Sequence, residues 1–319
     1  MEKNELSQNA MGGTELMMNR IHSSVSSDLL DKVQIIPSRV RDIDPDKKTI
    51  LYLHDLPGDP EVQHLKDGGW AKFDKLVFVS HWQQLMYNLI LGVPYHAGTV
   101  LRNAITPIEE HLKPSDGTIR LIYTSTPHRG LVILYPVFKA LCKQFSNIEL
   151  EVFSSFALYG WAQRDEPYKE LIAEMEADPK VVYHGAKSND EVREGLKRSH
   201  IFAYPSIWQE TSCLCLIEAM SAGCLSVHSS LAALPETSLS ITNMYGYTEN
   251  HNDHAQILYN HLASAINQCV ANRMTLQHNT DYLRPLVNAI YDWNTRKNDW
   301  ERLISNMSQS DKYVSFPEK

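Results

Sequence analysis

The stretch Tyr204–Glu236, YPSIWQETSCLCLIEAMSAGCLSVHSSLAALPE, carries two carboxylates eight positions apart. Glu210 follows an apolar run and reads as a loop residue. Glu218 lies inside a helical stretch, with Ser212 as the expected N-cap and Gly223 as the expected residue just past its end. At about 1.5 Å of rise per residue, the two carboxylates should stand roughly 10 Å apart along one edge. Between them falls a helix N-terminus, whose unpaired N–H groups and positive dipole end suit a phosphate. A pyrophosphate there, a sugar at one carboxylate and a ribose at the other make a nucleotide-sugar site the expectation.

The bulk properties set the frame. The 319 residues are enough for two medium-sized cores, and 43% hydrophobic with 21% charged residues is ordinary for a soluble globular protein. No run of eighteen apolar residues predicts a membrane span, and the polar start MEKNELSQNA does not read as a signal peptide. A cytoplasmic location is expected. The five cysteines (Cys142, Cys213, Cys215, Cys224, Cys269) form no CxxC pair and read as small buried residues in a reducing compartment. A net charge of −8 argues against a broad nucleic-acid-binding surface.

Outward from the opening stretch, apolar β-rich runs alternate with helical patterns. Strands are predicted at 33–36, 49–54, 75–80, 99–101, 119–124, 148–153, 180–184, 200–204 and 225–228. Helices are predicted at 14–24, 81–91, 131–143, 167–177, 189–197, 213–222, 255–270 and 283–305. That alternation predicts parallel sheets covered on both faces. The polar segment PIEEHLKPSDG (107–117), with two prolines and a glycine, is the best linker. The expected organisation is an N-terminal Rossmann-like domain at 1–112, a second at 113–285, and a C-terminal helix at 286–319. Ligands in open α/β sheets bind beyond the carboxyl ends of strands. His54-Asp55, Asn103, the segment 125–130 and Glu210 fit that placement, and Gly12-Gly13 precede the first predicted helix.

With those residues assembled, the chain resembles the retaining glycosyltransferases of the GT-B fold, family-4 type. The resemblance rests on Tyr123-Thr124-Ser125-Thr126-Pro127-His128-Arg129-Gly130-Leu131, on Tyr159-Gly160-Trp161, and on Tyr204 through Ala219 (YPxxxxETxCxxxxEA). It covers roughly 121–236. Thinner support comes from Met11–Glu15 (MGGTE), His54, Arg102-Asn103-Ala104-Ile105 and a Trp-rich final helix around Trp293 and Trp300. The resemblance implies two Rossmann-like domains facing across a cleft, the first one reduced. It also implies a metal-independent enzyme that moves a sugar from a UDP- or GDP-sugar to an acceptor hydroxyl.

Roles carry over residue by residue. Glu218 would hold the ribose, Glu210 a hydroxyl of the donor sugar, and the amides of Ser212, Cys213, Leu214 and Cys215 would lie near sugar and pyrophosphate. Arg129 would replace the usual phosphate-binding lysine. Gly185 and Ala186 would line the base pocket, with Arg102, His128 or Lys187 as alternative cations. His54 would approach the sugar from the first domain, Gly12-Gly13 would face diphosphate or acceptor, and Asn103 would assist the donor. No further cofactor or metal is implied, and the acceptor could be a glycan, lipid-linked glycan, protein or modified nucleic acid.

Three departures from the family pattern stand out. Thr124 occupies the place of a second cation. Only ten polar residues precede Met11, where a strand is usual. Ser154-Ser155 replace a glycine-rich turn. Plainer readings also exist: Arg129 as a surface residue, His54 as a core histidine, Gly12-Gly13 as a helix-entry turn, Asn103 as an Asx turn. Asp42, Asp44 and Asp46, between Arg39/Arg41 and Lys47-Lys48, spell a metal-like DxDxD but precede a strand, so a solvated loop is favoured. Tyr159 and Trp161 could stack on an acceptor or pack a loop against the sheet. A catalytically weak nucleotide-sugar-binding or assembly protein, and a GT-B sugar-nucleotide epimerase, remain as alternatives.

Overall fold

The computed structural model describes residues 12–40, 42–271 and 279–309, so Met11 and Arg41 lie outside the described residues. The chain divides into two compact units. One comprises Gly13–Thr106 with the described residues from Tyr291 onward, and the other comprises Pro107–Ile290 with Gly12.

The larger unit holds a six-stranded sheet of β5 (Ile119–Thr124), β6 (Ile148–Phe153), β7 (Val181–Tyr183), β8 (Ile201–Tyr204), β9 (Leu225–Ser229) and β10 (Asn243–Tyr245). Every pairing is parallel. Each residue of β8 and β9 is buried, so β8 reads as a continuous apolar run, while β9 buries Ser226, His228 and Ser229 among its apolar residues. Helices cover the sheet: α4 (Leu131–Leu141), α5 (Lys169–Ala177), α6 (Asn189–Arg198), α7 (Leu214–Ser221), α8 (Leu234–Thr237), α9 (His251–Ala271) and α10 (Arg284–Tyr291). At Gly195 in α6 an added Cβ would sit 2.7 Å from the Phe153 ring, so this helix rests on the sheet at a distance only glycine permits.

Strand order decides where ligands go. The sheet runs β7-β6-β5-β8-β9-β10, so the chain winds outward from β5 in one direction and then from β8 in the other. The carboxyl ends of β5 and β8 therefore flank the topological switch point, the crevice where doubly wound sheets take their ligands.

The smaller unit carries a parallel sheet in the order β1 (Val33–Pro37), β2 (Lys48–Leu53), β3 (Lys75–Phe78), β4 (Gly98–Val100). Among the described residues this order has no reversal. Its helices include α1 (Gly13–Ser24), α2 (Ser27–Leu30) and α3 (His81–Leu91). Ser80 caps α3 by accepting the Gln83 N–H at 3.0 Å, and Gly92 ends it in the left-handed conformation (φ 69°). Leu51, Leu53, Leu76, Phe78 and Tyr87 are core residues of this unit.

The final helix α11 (Trp293–Gln309) belongs to this unit. The Ile105 N–H donates to the Tyr291 carbonyl and the Trp293 N–H donates to the Ile105 carbonyl, both at 2.8 Å. Trp300 is fully buried with its ring 5.0 Å from Tyr52, and the Trp293 indole N–H donates to Ser24 Oγ at 2.8 Å.

Several local expectations need correction. The helix of the opening stretch starts at Leu214, and Cys213, not Ser212, occupies the N-cap position without a side-chain cap bond. At its other end Gly223 does take the left-handed conformation (φ 71°). Its N–H donates to Met220 O and the Cys224 N–H to Ala219 O, the bond pattern of a Schellman motif. The predicted helix 283–305 is two helices, α10 and α11, separated at Asp292, which bridges Ile105. β10 and α8 were not predicted. Three residues of Asn-Met-Tyr carry too little pattern to mark a strand that exists by pairing with β9.

Candidate functional site

The site grows from the two turns that leave β5 and β8. After Thr124 the chain bends through Ser125 and Thr126 into a 3-10 turn at Pro127–Arg129. The Tyr123 hydroxyl donates to the Thr126 carbonyl at 2.8 Å and the Arg129 N–H to the same oxygen at 3.2 Å, which fixes the turn. Gly130 follows with φ 126°, and a Cβ there would stand 2.2 Å from the Pro205 carbonyl oxygen. Only glycine lets the β5 turn press this closely on the exit of β8. The result is a contact between residues 81 positions apart: Arg129 Nη1 lies 2.8 Å from Glu210 Oε1.

Glu210 is held from a second side. The hydroxyl of Tyr204, the last residue of β8, donates to the same Oε1 at 2.5 Å. The Ala233 N–H donates to the Glu210 carbonyl at 3.1 Å. Tyr204 is fully buried, and desolvation, followed by the nearby Glu210 charge, holds its phenol well above the usual range, so it stays a neutral donor. For Arg129, burial works against the charge, but Glu210 together with Tyr159, Tyr204 and Cys215 outweighs it and keeps the guanidinium protonated well above its ordinary value.

Beside this pair lie polar atoms with no protein partner among the described residues: Arg129 Nε and the hydroxyls of Thr124 and Thr126, all buried. Thr124 is thus a neutral side chain where the family pattern has a cation. Next comes the start of α7. By position, the Leu214 and Cys215 amides have no intrahelical acceptor. The Cys213 and Cys215 sulfurs are 3.4 Å apart, and burial pushes the Cys213 thiol well up, so it is neutral.

Glu218, on the second turn of α7, is only 4% exposed. Both of its oxygens accept from Asn189 Nδ2 at 3.1 Å, and Arg193 Nη1 is 3.3 Å from Oε1. Asn189 and Arg193 lie one turn apart on α6, whose start is fixed by a capping box between Ser188 and Glu191. Gly185 (φ 67°), Ala186 and Lys187 form the turn leading into that helix, within one turn of the Asn189 that meets Glu218. Lys187 itself pairs with Glu191 at 3.4 Å.

The remaining predicted residues belong to the smaller unit or its edge. Gly12 precedes α1 and Gly13 opens it. His54 follows β2, donates its backbone N–H to Ser38 Oγ at 3.1 Å, and meets the Tyr52 ring edge-on at 4.2 Å. Burial pulls its pKa down to about 3, so its imidazole is neutral at ordinary pH. Asn103, 3% exposed, accepts the Tyr52 hydroxyl at 3.3 Å through Oδ1, a contact across the sheet and not an Asx turn. In the DxDxD loop, the Asp46 N–H donates to Asp44 Oδ1 at 3.0 Å and Gln34 holds the backbone of Asp42 and Asp44. Among the described residues, no group of three or more His, Cys, Asp or Glu is placed to hold a metal.

Sequence reasoning missed Tyr204 as a partner of Glu210, and Asn189 and Arg193 as partners of Glu218. Tyr204 stood in the quoted motif but read as a core strand residue. Asn189 and Arg193 had only their i, i+4 spacing as a signal.

The larger unit has a parallel sheet that reverses at β5/β8, with polar turns at that reversal, and the smaller unit has a parallel sheet of its own. The chain has the GT-B fold. Residues 108–257 match the family model described as Glycosyl transferases group 1. A lipopolysaccharide 1,2-N-acetylglucosaminetransferase of Salmonella typhimurium is 22% identical over 273 residues, covering 84% of this chain and 69% of the relative. A glycosyltransferase from Rickettsia africae superimposes with a TM-score of 0.67 at 15% identity, covering 97% of this chain and 85% of the other. The pneumococcal O-GlcNAc transferase GtfA, solved with UDP and GlcNAc, gives a TM-score of 0.61 at 12% identity, covering 82% of this chain. This chain spans 53% of that transferase's length. The family match lies in the larger unit, and these solved structures share the fold. Among the described residues, no helix is long and apolar enough to cross a membrane.

Proposed function

We propose that this chain transfers a sugar from a nucleotide diphosphate sugar to an acceptor hydroxyl with retention of configuration, without a metal. The observation that carries the reading is the Arg129–Glu210 pair at the switch point, with Arg129 Nε and the Thr124 and Thr126 hydroxyls buried and without a partner among the described residues. Buried polar groups without partners are costly, and a diphosphate accepting from them would relieve that cost. Arg129 and the amides of Ser212, Cys213, Leu214 and Cys215 are assigned to the diphosphate and the sugar. Glu210 takes a sugar hydroxyl, Glu218 the ribose, and Gly185 and Ala186 the base, with Lys187 as a further cation for the donor. His54 is assigned a neutral contact to the sugar, and Gly12, Gly13 and Asn103 supporting contacts to the donor.

In the reaction, the bond from the anomeric carbon to the diphosphate oxygen breaks and a bond to the acceptor oxygen forms on the same face. The acceptor proton passes to a diphosphate oxygen, so the leaving group serves as the base. Arg129 stabilises the negative charge that develops there. With Thr124 in place of a second cation, most of that stabilisation falls on one guanidinium and on backbone amides. The GtfA complex with UDP and GlcNAc favours UDP over GDP as the donor nucleotide, and the Salmonella relative favours a glycan acceptor.

The test is a panel of UDP- and GDP-sugars followed by thermal shift and by release of the nucleotide diphosphate, with the product anomer read by NMR. Ligands that bind the native state raise its apparent stability. No shift with any nucleotide diphosphate or nucleotide sugar would sink the reading, and an inverted product would overturn its stereochemistry.

A further inference from the structure

Trp208 is a large aromatic left 46% exposed on a backbone that is not loose. The fully buried Ser206 hydroxyl donates to the Trp208 carbonyl at 2.8 Å and accepts its N–H at 3.3 Å. The Ser206 carbonyl in turn accepts the Ser229 hydroxyl at 2.7 Å, tying the loop to β9. The indole and the His128 ring meet near-perpendicular at 4.8 Å and 79°, and His128 stacks on Phe156 at 5.1 Å and 19°. Burial, then the nearby Arg129 and Arg164 charges, lower the His128 pKa to about 4, so this layer is uncharged at neutral pH. His128 Nδ1 is buried without a protein partner among the described residues.

The placement matters as much as the packing. His128 adjoins Arg129, and Trp208 stands two residues before Glu210, the two members of the switch-point ion pair. A half-exposed indole that packs on the His128 ring, on a loop two residues before Glu210, matches one chemical class. A pyranose has an apolar C–H face of about that size and hydroxyls around its rim. A lipid chain or apolar peptide would need a wider apolar area than one indole.

We propose that Trp208, backed by His128 and Phe156, is a stacking platform for the pyranose ring of a saccharide substrate at this site. The proposal rests on the donor-site reading above and adds a specificity-determining residue to it. The indole supplies the face of the ring's contact, and His128, stacked on Phe156, fixes the indole's orientation. The ring could belong to the nucleotide sugar or to the acceptor, and the experiment separates the two.

Trp208→Ala and Trp208→Phe are compared with wild type by calorimetry against UDP, UDP-GlcNAc and UDP-glucose. Ligand-observed NMR follows the methyl glycosides of glucose, GlcNAc and galactose, with and without UDP. Because the side chain is half exposed, neither variant threatens the fold, and unchanged UDP affinity confirms it. The alanine variant should lose about tenfold in affinity for one saccharide class, with most of it kept by phenylalanine. Loss confined to the UDP-sugars assigns the platform to the donor, and loss confined to methyl glycosides assigns it to the acceptor. Equal saccharide binding by wild type and Trp208→Ala, or no saccharide-dependent binding in either, overturns the proposal. Wild type that ignores UDP and UDP-sugars but binds glycosides through Trp208 would keep the platform and overturn the donor site.

Discussion

Replacing Arg129 separates the two things this residue does. Its guanidinium is 2.8 Å from a Glu210 carboxylate whose side chain is only 7% exposed. Removing one member of a fully buried pair typically costs about 3–5 kcal/mol, because the other charge is left uncompensated. Here the Arg129 side chain is 22% exposed and Tyr204 still donates to Glu210, so Arg129→Ala should cost less, about 1–3 kcal/mol. That corresponds to a fall in Tm of about 2–4 °C per kcal/mol in a domain of this size. On the proposed chemistry, turnover should fall much further, by about 10²–10³, since a preorganised donor to the leaving group is gone. Arg129→Lys should recover part of it, keeping the charge but losing the planar fork.

The double variant Arg129→Ala/Glu210→Gln removes both charges at once. It should regain most of the lost Tm, because no uncompensated carboxylate remains, while turnover stays low. Differential scanning fluorimetry reads the first quantity, and release of nucleotide diphosphate under saturating donor reads the second. Binding of the nucleoside monophosphate should change little, as that ligand lacks the distal phosphate. Arg129→Ala that keeps wild-type Tm and turns over within twofold of wild type would refute both the electrostatic argument and the phosphate assignment.

Three other outcomes are expected. Tyr204→Phe removes one of the two donors on Glu210 Oε1, so discrimination among donor sugars should drop about tenfold while UDP affinity holds, and loss of UDP affinity would point to a folding defect instead. Glu218→Gln should weaken nucleotide binding about tenfold or more and erase the preference for ribose over 2′-deoxyribose nucleotides, a preference whose absence in wild type would remove Glu218 from the ribose. His228, fully buried between the Ser229 carbonyl and the Thr242 hydroxyl, has its pKa lowered by burial to about 4. The unfolded chain, titrating near 6.5, binds that proton first, so the contribution to stability is intact above pH 6.5 and lost as the pH falls toward 4. Stability should change there by at most about 1.4 kcal/mol per pH unit from this group, and an unchanged acid slope in His228→Asn would contradict it.

Much of the larger unit was legible because its signals are local. β5 and β6 are predicted with their observed bounds, as is α3 of the smaller unit, since each carries an apolar run ended by a turn signal or cap. What failed was what tertiary contact decides. Ser212 has the right chemistry for an N-cap, but the helix begins two residues later, with Cys213 at the cap and its sulfur against Cys215. Asp292 shows no helix breaker in its sequence, yet its bridge to Ile105 splits the final helical pattern in two. A pairing partner nearly two hundred residues away leaves no trace in a local window.

The site shows the same division in a sharper form. Strand ends were enough to point to Glu210 and Arg129, because a carboxylate or guanidinium just past a strand has few structural reasons to be there, and Glu218 followed from its place in the helix after Glu210. Nothing in that reasoning said that Arg129 and Glu210 would meet each other. Their contact follows from strand order: β5 and β8 are neighbours only because the sheet reverses between them, and Gly130 at φ 126° lets their exits close on each other. The same neighbour relation turns Tyr204 from a core tyrosine into a donor for Glu210 and sets His128 against Trp208. Gly130→Ala is therefore the variant that tests the whole arrangement. Its Cβ would drive against the Pro205 carbonyl in a backbone conformation alanine disfavours, spreading the two turns without touching any charged group. Nucleotide binding and turnover should then fall together with the Arg129–Glu210 contact, although every proposed binding side chain is still present.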